Sequence, residues 1–371
     1  MNKSRVSLQD FCKIIQGGRH GLSGNHFVAD GYPAYGAGGL NGYLPSYEFD
    51  QPGVILSSIG ARCGKCFYAK GKWSSLANTQ VIFPDPLRAD PKFIWFQLND
   101  ERRWHRSGTG QPFIKPSDVK SHVIYLPPLS EQRRIAAILD KADALRAKRR
   151  EALAQLDSLA QSMFLEMFGD PALHLANGRA AVMSDACEKI TDGTHHSPDT
   201  RAEGIPYITA KHLRPDGLDF YSDPWFVSPE DHHAIYSRCD PRKGDVLYIK
   251  DGATTGIAAI NEYDFPFSML SSLALLRPRS GVCTAEYLTS WLNNEQVKKQ
   301  MTGRMAGAGI TRLTLGKIKQ SKVYIPTYSE QKVFSERFRV IRALMKRQAL
   351  MMESLNALFS SLQHRAFQGK L

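Results

Sequence analysis

Three groups of residues have types and spacings that could do chemistry. Cys63-Gly64-Lys65-Cys66 sets two thiols at the interval of half a tetrahedral zinc site, but no second pair follows to complete it. His195-His196, His212, His232-His233 and Cys239 bring imidazoles and a thiol into one stretch of chain. They read either as metal ligands or as loop side chains facing a partner or solvent, and adjacent histidines, which point different ways on most backbones, favour the loops. Pro84-Asp85 followed by Asp118-Val119-Lys120 has the acids and lysine of a metal-dependent nuclease, yet the matching later segment, Lys317-Ile318-Lys319, has no acid. No Asn-Pro-Pro-Tyr or Asp-Pro-Pro-Tyr stands ready to hold a target adenine, and no glycine-rich loop has the spacing of a nucleotide or S-adenosylmethionine site. The expectation is a chain with no catalytic residues and no metal.

What remains is basic and polar chemistry. With 48 Lys and Arg against 36 Asp and Glu, the net charge is +12, which favours a polyanionic partner. Gly-rich loops carry basic, hydroxyl and amide side chains that can approach phosphates and read base edges of double-stranded DNA. In the first half these are Arg19, His20, Asn41, Arg62, Lys65, Thr109, Gln111 and Lys115. In the second half they are Thr194, His195, His196, Lys211, His212, Arg214, Lys250, Thr254, Thr255, Arg304, Thr311 and Arg312. Each is either a base or phosphate contact or a solvated surface residue. Tyr35, Tyr43 and Trp104 read as core residues rather than stacking platforms, and Arg146-Ala147-Lys148-Arg149-Arg150 as a helix face turned to phosphate or to water.

The elements that must position these residues occur twice. Tyr125-Leu126-Pro127, then Ser130-Glu131-Gln132, opens a helical run ending near Phe168-Gly169, and Tyr324-Ile325-Pro326, then Ser329-Glu330-Gln331, opens another ending near Phe367 and Gly369, with an offset of 199 from Pro127/Pro326 and Ser130/Ser329 through Phe168/Phe367. That period is too long for a solenoid and marks duplication of a whole domain plus a helix. In the second run Phe334, Phe338, Ile341, Met345, Met352, Leu355, Phe359 and Leu362 alternate steps of three and four, broken at Gln348. The first run carries Ile135, Leu139, Ala142, Arg146, Leu153, Leu156, Ala160 and Met163, with Arg149 at the break. Heptads sustained in both halves predict that the helices pair as a coiled coil. If they run antiparallel, Arg149 and Gln348 fall near mid-helix, either meeting as a register pin or snorkelling to solvent. Ser130 and Ser329 are expected as N-caps, and Gly169 and Gly369 as helix stops. At 1.5 Å per residue, about 38 residues make a rod roughly 57 Å long.

The predicted domains are heads over residues 1–129 and 170–328 and helices over 130–169 and 329–371. Cys12-Lys13-Ile14-Ile15-Gln16-Gly17-Gly18 lines up with Cys187-Glu188-Lys189-Ile190-Thr191-Asp192-Gly193. Gly53-Val54-Ile55-Leu56-Ser57 leading to Gly60 and Gly64 matches Gly244-Asp245-Val246-Leu247-Tyr248 leading to Gly252 and Gly256. Short β-branched runs, glycine turns and one helical stretch per head predict α+β folds. Matched scaffold positions with divergent loops point to two heads that read two different targets.

With these motifs in place, the chain resembles the specificity subunit of type I restriction-modification systems. The resemblance covers head, Pro-x-x-Ser-Glu-Gln, long helix and the same again, through Ala366-Phe367-Gln368-Gly369-Lys370-Leu371. It implies two pseudo-repeated α/β target-recognition domains separated by two long helices in an antiparallel coiled coil. It also implies recognition of a bipartite, asymmetric DNA site, with two adenine-N6 methyltransferase subunits and motor-nuclease restriction subunits as partners. The cofactors, S-adenosylmethionine, ATP and Mg2+, would sit on those other subunits and none on this chain. Two other readings need different features: a combined modification and restriction enzyme needs its own active site, and a protein-only coiled-coil adaptor would not need the basic charge. No run of eighteen apolar residues is present, Met1–Val6 lack a leader's apolar stretch, and six cysteines show no disulfide spacing, so the expected location is the cytoplasm, away from membranes.

Overall fold

The computed structural model describes residues 5–18, 24–108, 110–176, 180–214, 216–303 and 313–371. The chain forms two compact units, Met1–Glu151 with Ala349–Leu371, and Ala152–Gln348. Each unit holds one head, the part of a long helix that follows or precedes it, and part of the other long helix.

The first head is built on a four-stranded antiparallel sheet of β1 (Cys12–Gln16), β2 (Gly53–Ser57), β3 (Cys66–Ala69) and β4 (Thr79–Pro84), in the order β1-β4-β2-β3. Strand β4 is buried throughout, so its run Thr-Gln-Val-Ile-Phe-Pro carries no polar alternation, as expected where both faces are covered. Helix α1 (Pro91–Leu98) packs on this sheet. Pro91 opens its first turn, where a missing N–H costs nothing, and the Asp90 side chain caps Phe93 N–H at 2.9 Å. The long helix α2 (Leu129–Phe168) follows.

The second head repeats the plan. Strands β5 (Cys187–Asp192), β6 (Val246–Ile249), β7 (Ala258–Ile260) and β8 (Leu273–Pro278) form an antiparallel sheet ordered β5-β8-β6-β7. Helix α3 (Pro229–Arg238) has no counterpart among the described residues of the first head, whereas α4 (Ala285–Asn293), capped by Thr284, takes the place of α1. The long helix α5 (Tyr328–Phe367) closes the chain.

Strand pairing corrects the alignment drawn from sequence by one residue. Ile14 faces Ile82 while Ile190 faces Leu276, and a β-bulge lies between Cys187 and Lys189. Glu188 is therefore an extra residue, and Gln16, not Gly17, stands where Asp192 does. Gly17 and Gly193 then coincide. A Cβ on either would fall about 2 Å from a neighbouring oxygen, Thr79 Oγ1 or Met269 O, which is why both are glycine.

The predicted seam is the less exposed stripe of both long helices: Ile135, Leu139, Met163, Phe334 and Ile341 are buried and the other seam residues half-buried. In the first unit Ile135, Leu139, Ala366 and Phe367 join Val54, Leu56, Ile82, Phe93 and Phe96 in one core. Arg146, at a seam position, donates to Asn356 Oδ1 at 2.8 Å and lies 4.4 Å over the Phe359 ring. In the second unit Phe164 and Phe168 pack on Phe334 and Tyr287 over Val246, Tyr248 and Leu276. Low numbers of α2 meet high numbers of α5 in one unit and the reverse holds in the other, so the helices pair antiparallel. Arg149 falls in the first unit and Gln348 in the second, and each is half-buried.

The helix starts depart from expectation. Ser130 and Ser329 are exposed and lie inside the first turn. Thr327 caps α5 instead: its N–H donates to Glu330 Oε2 at 3.0 Å and its hydroxyl accepts from Glu330 N at 3.4 Å, a reciprocal capping box. In α2 the same place is Pro128, whose carbonyl accepts from Glu131 and Gln132 N–H. Gly169 and Gly369 adopt φ of +75° and +64° and end the helices, a conformation glycine reaches without strain. No helix among the described residues is long and apolar enough to cross a membrane.

Candidate nucleic-acid interface

Both heads carry the same loop between the second and third strands of the sheet. In the first, Ser57 N–H donates to Lys65 O, Gly64 N–H to Ser57 O, Cys63 N–H to Gly60 O and Ile114 N–H to Ser58 O. In the second, Ile249 donates to Ile257 O, Gly256 to Ile249 O, Thr255 to Gly252 O and Leu313 to Lys250 O. All four bonds match. Gly60 and Gly64 have φ of +102° and +98°, Gly252 and Gly256 +99° and +101°, so the turn needs glycine at both places. The side chains on this common frame differ: Ala61-Arg62-Cys63 in one head, Ala253-Thr254-Thr255 in the other. The segment Gln111–Phe113 lies beside the first loop, joined by Gly60 N–H to Pro112 O at 3.0 Å.

Several predicted contact residues stand at this surface. Arg62, Gln111 and Lys115 are exposed together around the first loop, Arg62 with one Nη donating to Gly38 O at 2.8 Å. Lys65 is half-buried and lines a groove of about 530 Å³ with Tyr35, Phe67, Tyr68, Lys92 and Trp95. Asn41 is exposed on the neighbouring strand Gly39–Leu44. In the second head His195, His196, Arg214 and Thr254 are exposed and Thr255 is half-buried. Thr194 is half-buried, its hydroxyl taken up by the turn, where it accepts from His196 N–H at 3.1 Å. Arg19, His20, Thr109, Arg304, Thr311 and Arg312 lie outside the described residues.

Three expectations need correction. His212 is 1% exposed and belongs to the core: Nδ1 accepts from Thr209 N–H, Nε2 donates to Asp223 O, and burial pushes its pKa down. Lys250 is 2% exposed, its ammonium held between Asp192 and Asp251 at 3.4 and 3.3 Å, out of reach of a phosphate. Tyr43 is exposed, whereas Trp104 is in the core and Tyr35 half-buried. Lys211 is half-buried and already paired, 2.6 Å from Asp223 and 3.3 Å above the Trp225 ring centre.

The metal-like clusters come apart. Cys63 and Cys66 are buried, donate to the Ser58 and Leu98 carbonyls, and have thiol pKa values pushed up by burial. His232 bonds Ser268 Oγ at 3.0 Å, His195 lies beside Asp192, and Cys239 is in the apolar core. Among the described residues no three His, Cys, Asp or Glu side chains are grouped to hold a metal ion.

Sequence reasoning missed the purpose of the repeated Gln in Ser-Glu-Gln. Gln132 Nε2 donates to Arg88 O and Pro127 O at 2.9 and 2.7 Å, and its Oε1 accepts from Asp90 N–H at 2.9 Å. Gln331 repeats this with Val282 O, Pro326 O and Thr284 N–H at 2.8, 2.9 and 2.9 Å. Both side chains are fully buried. Asp90 and Thr284 cap α1 and α4, so each Gln ties the first turn of a long helix to the head's own helix. The recurrence of Gln at offset 199 is the signal that could have revealed this.

Comparison with known proteins agrees with the duplication. A family described as the type I restriction modification DNA specificity domain matches residues 2–155 and again 185–350. The chain is 21% identical over 372 residues to the type I restriction enzyme MjaVIII specificity subunit of Methanocaldococcus jannaschii, covering 92% of this chain and 86% of that one. The crystal structure of the type I restriction-modification S subunit from M. genitalium is similar in fold, with a TM-score of 0.66 and 17% identity over 98% of this chain and 96% of that one. A chain from a study of complex assembly and conformational transition of the type I R-M system aligns with a TM-score of 0.51 at 19% identity, covering 99% and 98% of the two chains.

Proposed function

The chain belongs to the family of type I restriction-modification DNA specificity domains, and from that premise we propose that its heads read the two parts of a split, asymmetric DNA sequence. The observation that carries this is the loop present in both heads with four matching backbone hydrogen bonds and different side chains. A constant frame with variable tips is what reading two unlike half-sites requires. Affinity comes mainly from phosphate neutralisation by the +12 chain, and sequence choice from loop side chains at base edges.

The same proposal makes the long helices both ruler and dock. Each head is bound to its helix by a buried Gln, so helix length sets the separation of the half-sites. Outside the seam, Leu145, Leu159, Val340, Leu344, Leu350 and Leu358 remain exposed on the helices, apolar surface suited to partner subunits. Those partners are two adenine methyltransferase subunits and motor-nuclease subunits. They carry the catalysis and bind S-adenosylmethionine, ATP and Mg2+, while this chain binds no cofactor and works in the cytoplasm.

Inserting four residues at matched places in both helices tests the ruler. At 1.5 Å per residue this adds about 6 Å. The expected result in a sequence-selection assay is a longer spacer between unchanged half-sites. An unchanged spacer would show that the helices do not set the distance.

A further inference from the structure

In the second head one buried carboxylate organises three elements at the edge of the proposed DNA surface. Asp192, at the end of β5, is 2% exposed. Its Oδ1 accepts from Arg238 Nη2 at 2.7 Å, Arg238 being the last residue of α3. Its Oδ2 lies 3.4 Å from Lys250 Nζ, just beyond β6, and 3.4 Å from His195 Nε2 in the loop after β5. Lys250 is buried and shared with Asp251, so two carboxylates face the two cations Lys250 and Arg238.

The members differ in exposure. Lys250 is spent inside the cluster, but the Arg238 side chain is 52% exposed and that of His195 48%. Both hydrogen bonds of the Arg238 guanidinium use Nη2, to Asp192 and to His195 Nε2 at 3.3 Å. Nε and Nη1 have no partner among the described residues. Arg238 is therefore a half-exposed guanidinium, aimed by a buried anion, with donors left over. An arginine held in place this way loses little side-chain entropy when it meets a ligand.

The first head has nothing like it among its described residues. Gln16, exposed and neutral, stands at the place of Asp192, and Ser58 at that of Lys250. The shared loop therefore rests on hydroxyl and amide groups in one head and on an ionic cluster in the other.

We propose that Arg238, aimed by Asp192, reads a base edge in the half-site of the second head, favouring an acceptor-rich edge such as O6 and N7 of guanine. This rests on the two-head reading above. The test is DNA selection by the full chain with its methyltransferase subunits, comparing wild type with Arg238→Ala and Arg238→Lys. The expected result is that Arg238→Ala flattens preference at one position of one half-site by about tenfold, within the discrimination of a good arginine–base contact, and leaves the other half-site as it was. Arg238→Lys keeps the charge, so overall affinity is largely retained while the base preference is still lost.

Both variants leave Asp192 paired with Lys250, and thermal melting checks that the fold persists. Unchanged half-sites in Arg238→Ala would overturn the proposal. So would a uniform loss of affinity across all sequences, which would make Arg238 a phosphate contact. A wild-type chain that selects no second half-site would overturn the two-head reading and this proposal with it.

Discussion

Replacing Gln132 by alanine removes a side chain that is fully buried and makes three hydrogen bonds, to Arg88 O, Pro127 O and Asp90 N–H. Each such bond contributes about 1 kcal/mol net, so the loss is about 3 kcal/mol. In a unit of this size about 3 kcal/mol lowers the melting temperature by roughly 6–12 °C. Scanning calorimetry of the full chain should show the drop in the transition of the first unit for Gln132→Ala and of the second for Gln331→Ala. Hydrogen exchange supplies a local readout, with the amide of Asp90 or Thr284 losing protection. Ser130→Ala is the control: the residue is exposed in the first turn and caps nothing, so its effect should stay within about 0.5 kcal/mol. A Gln132→Ala variant no less stable than Ser130→Ala would refute the idea that these glutamines fasten head to helix.

Two further outcomes follow from the packing and the buried histidine. Ile341→Ala, at a buried seam position, should cost about 2–5 kcal/mol in urea unfolding, whereas Val340→Ala, 61% exposed beside it, should cost almost nothing; equal effects would dispose of the seam. Burial holds His212 below its ordinary pKa, so the unfolded chain takes up the proton first as pH falls. The stability this gives the second unit is complete above the ordinary histidine value of about 6.5 and is lost as pH drops through that value and then the folded one. Titrated melting should show that decline, and His212→Gln should flatten it; an unaltered slope would locate the effect elsewhere.

The long helices were legible because a heptad seam needs only apolar residues at regular intervals, and Phe334, Ile341, Ile135 and Leu139 are buried as that spacing requires. The twofold plan was equally plain from the offset of 199. Strand register was not, because the bulge at Glu188 leaves no mark in composition while shifting Asp192 opposite Gln16. Lys250 and His212 looked like surface contacts because their partners, Asp192 and Asp223, come from other segments that only folding brings near. Arg238 was passed over for the same reason: nothing local says that a carboxylate 46 residues away will aim it. The cap assignment failed by position, since Thr327 and Pro128 rather than the serines stand at the helix starts.

The most direct test is DNA selection by the wild-type chain purified with its methyltransferase subunits, scored for enriched sequence. The expected result is two short, unequal motifs at one fixed spacing. A single contiguous motif, or none, would contradict the reading of two heads on two half-sites.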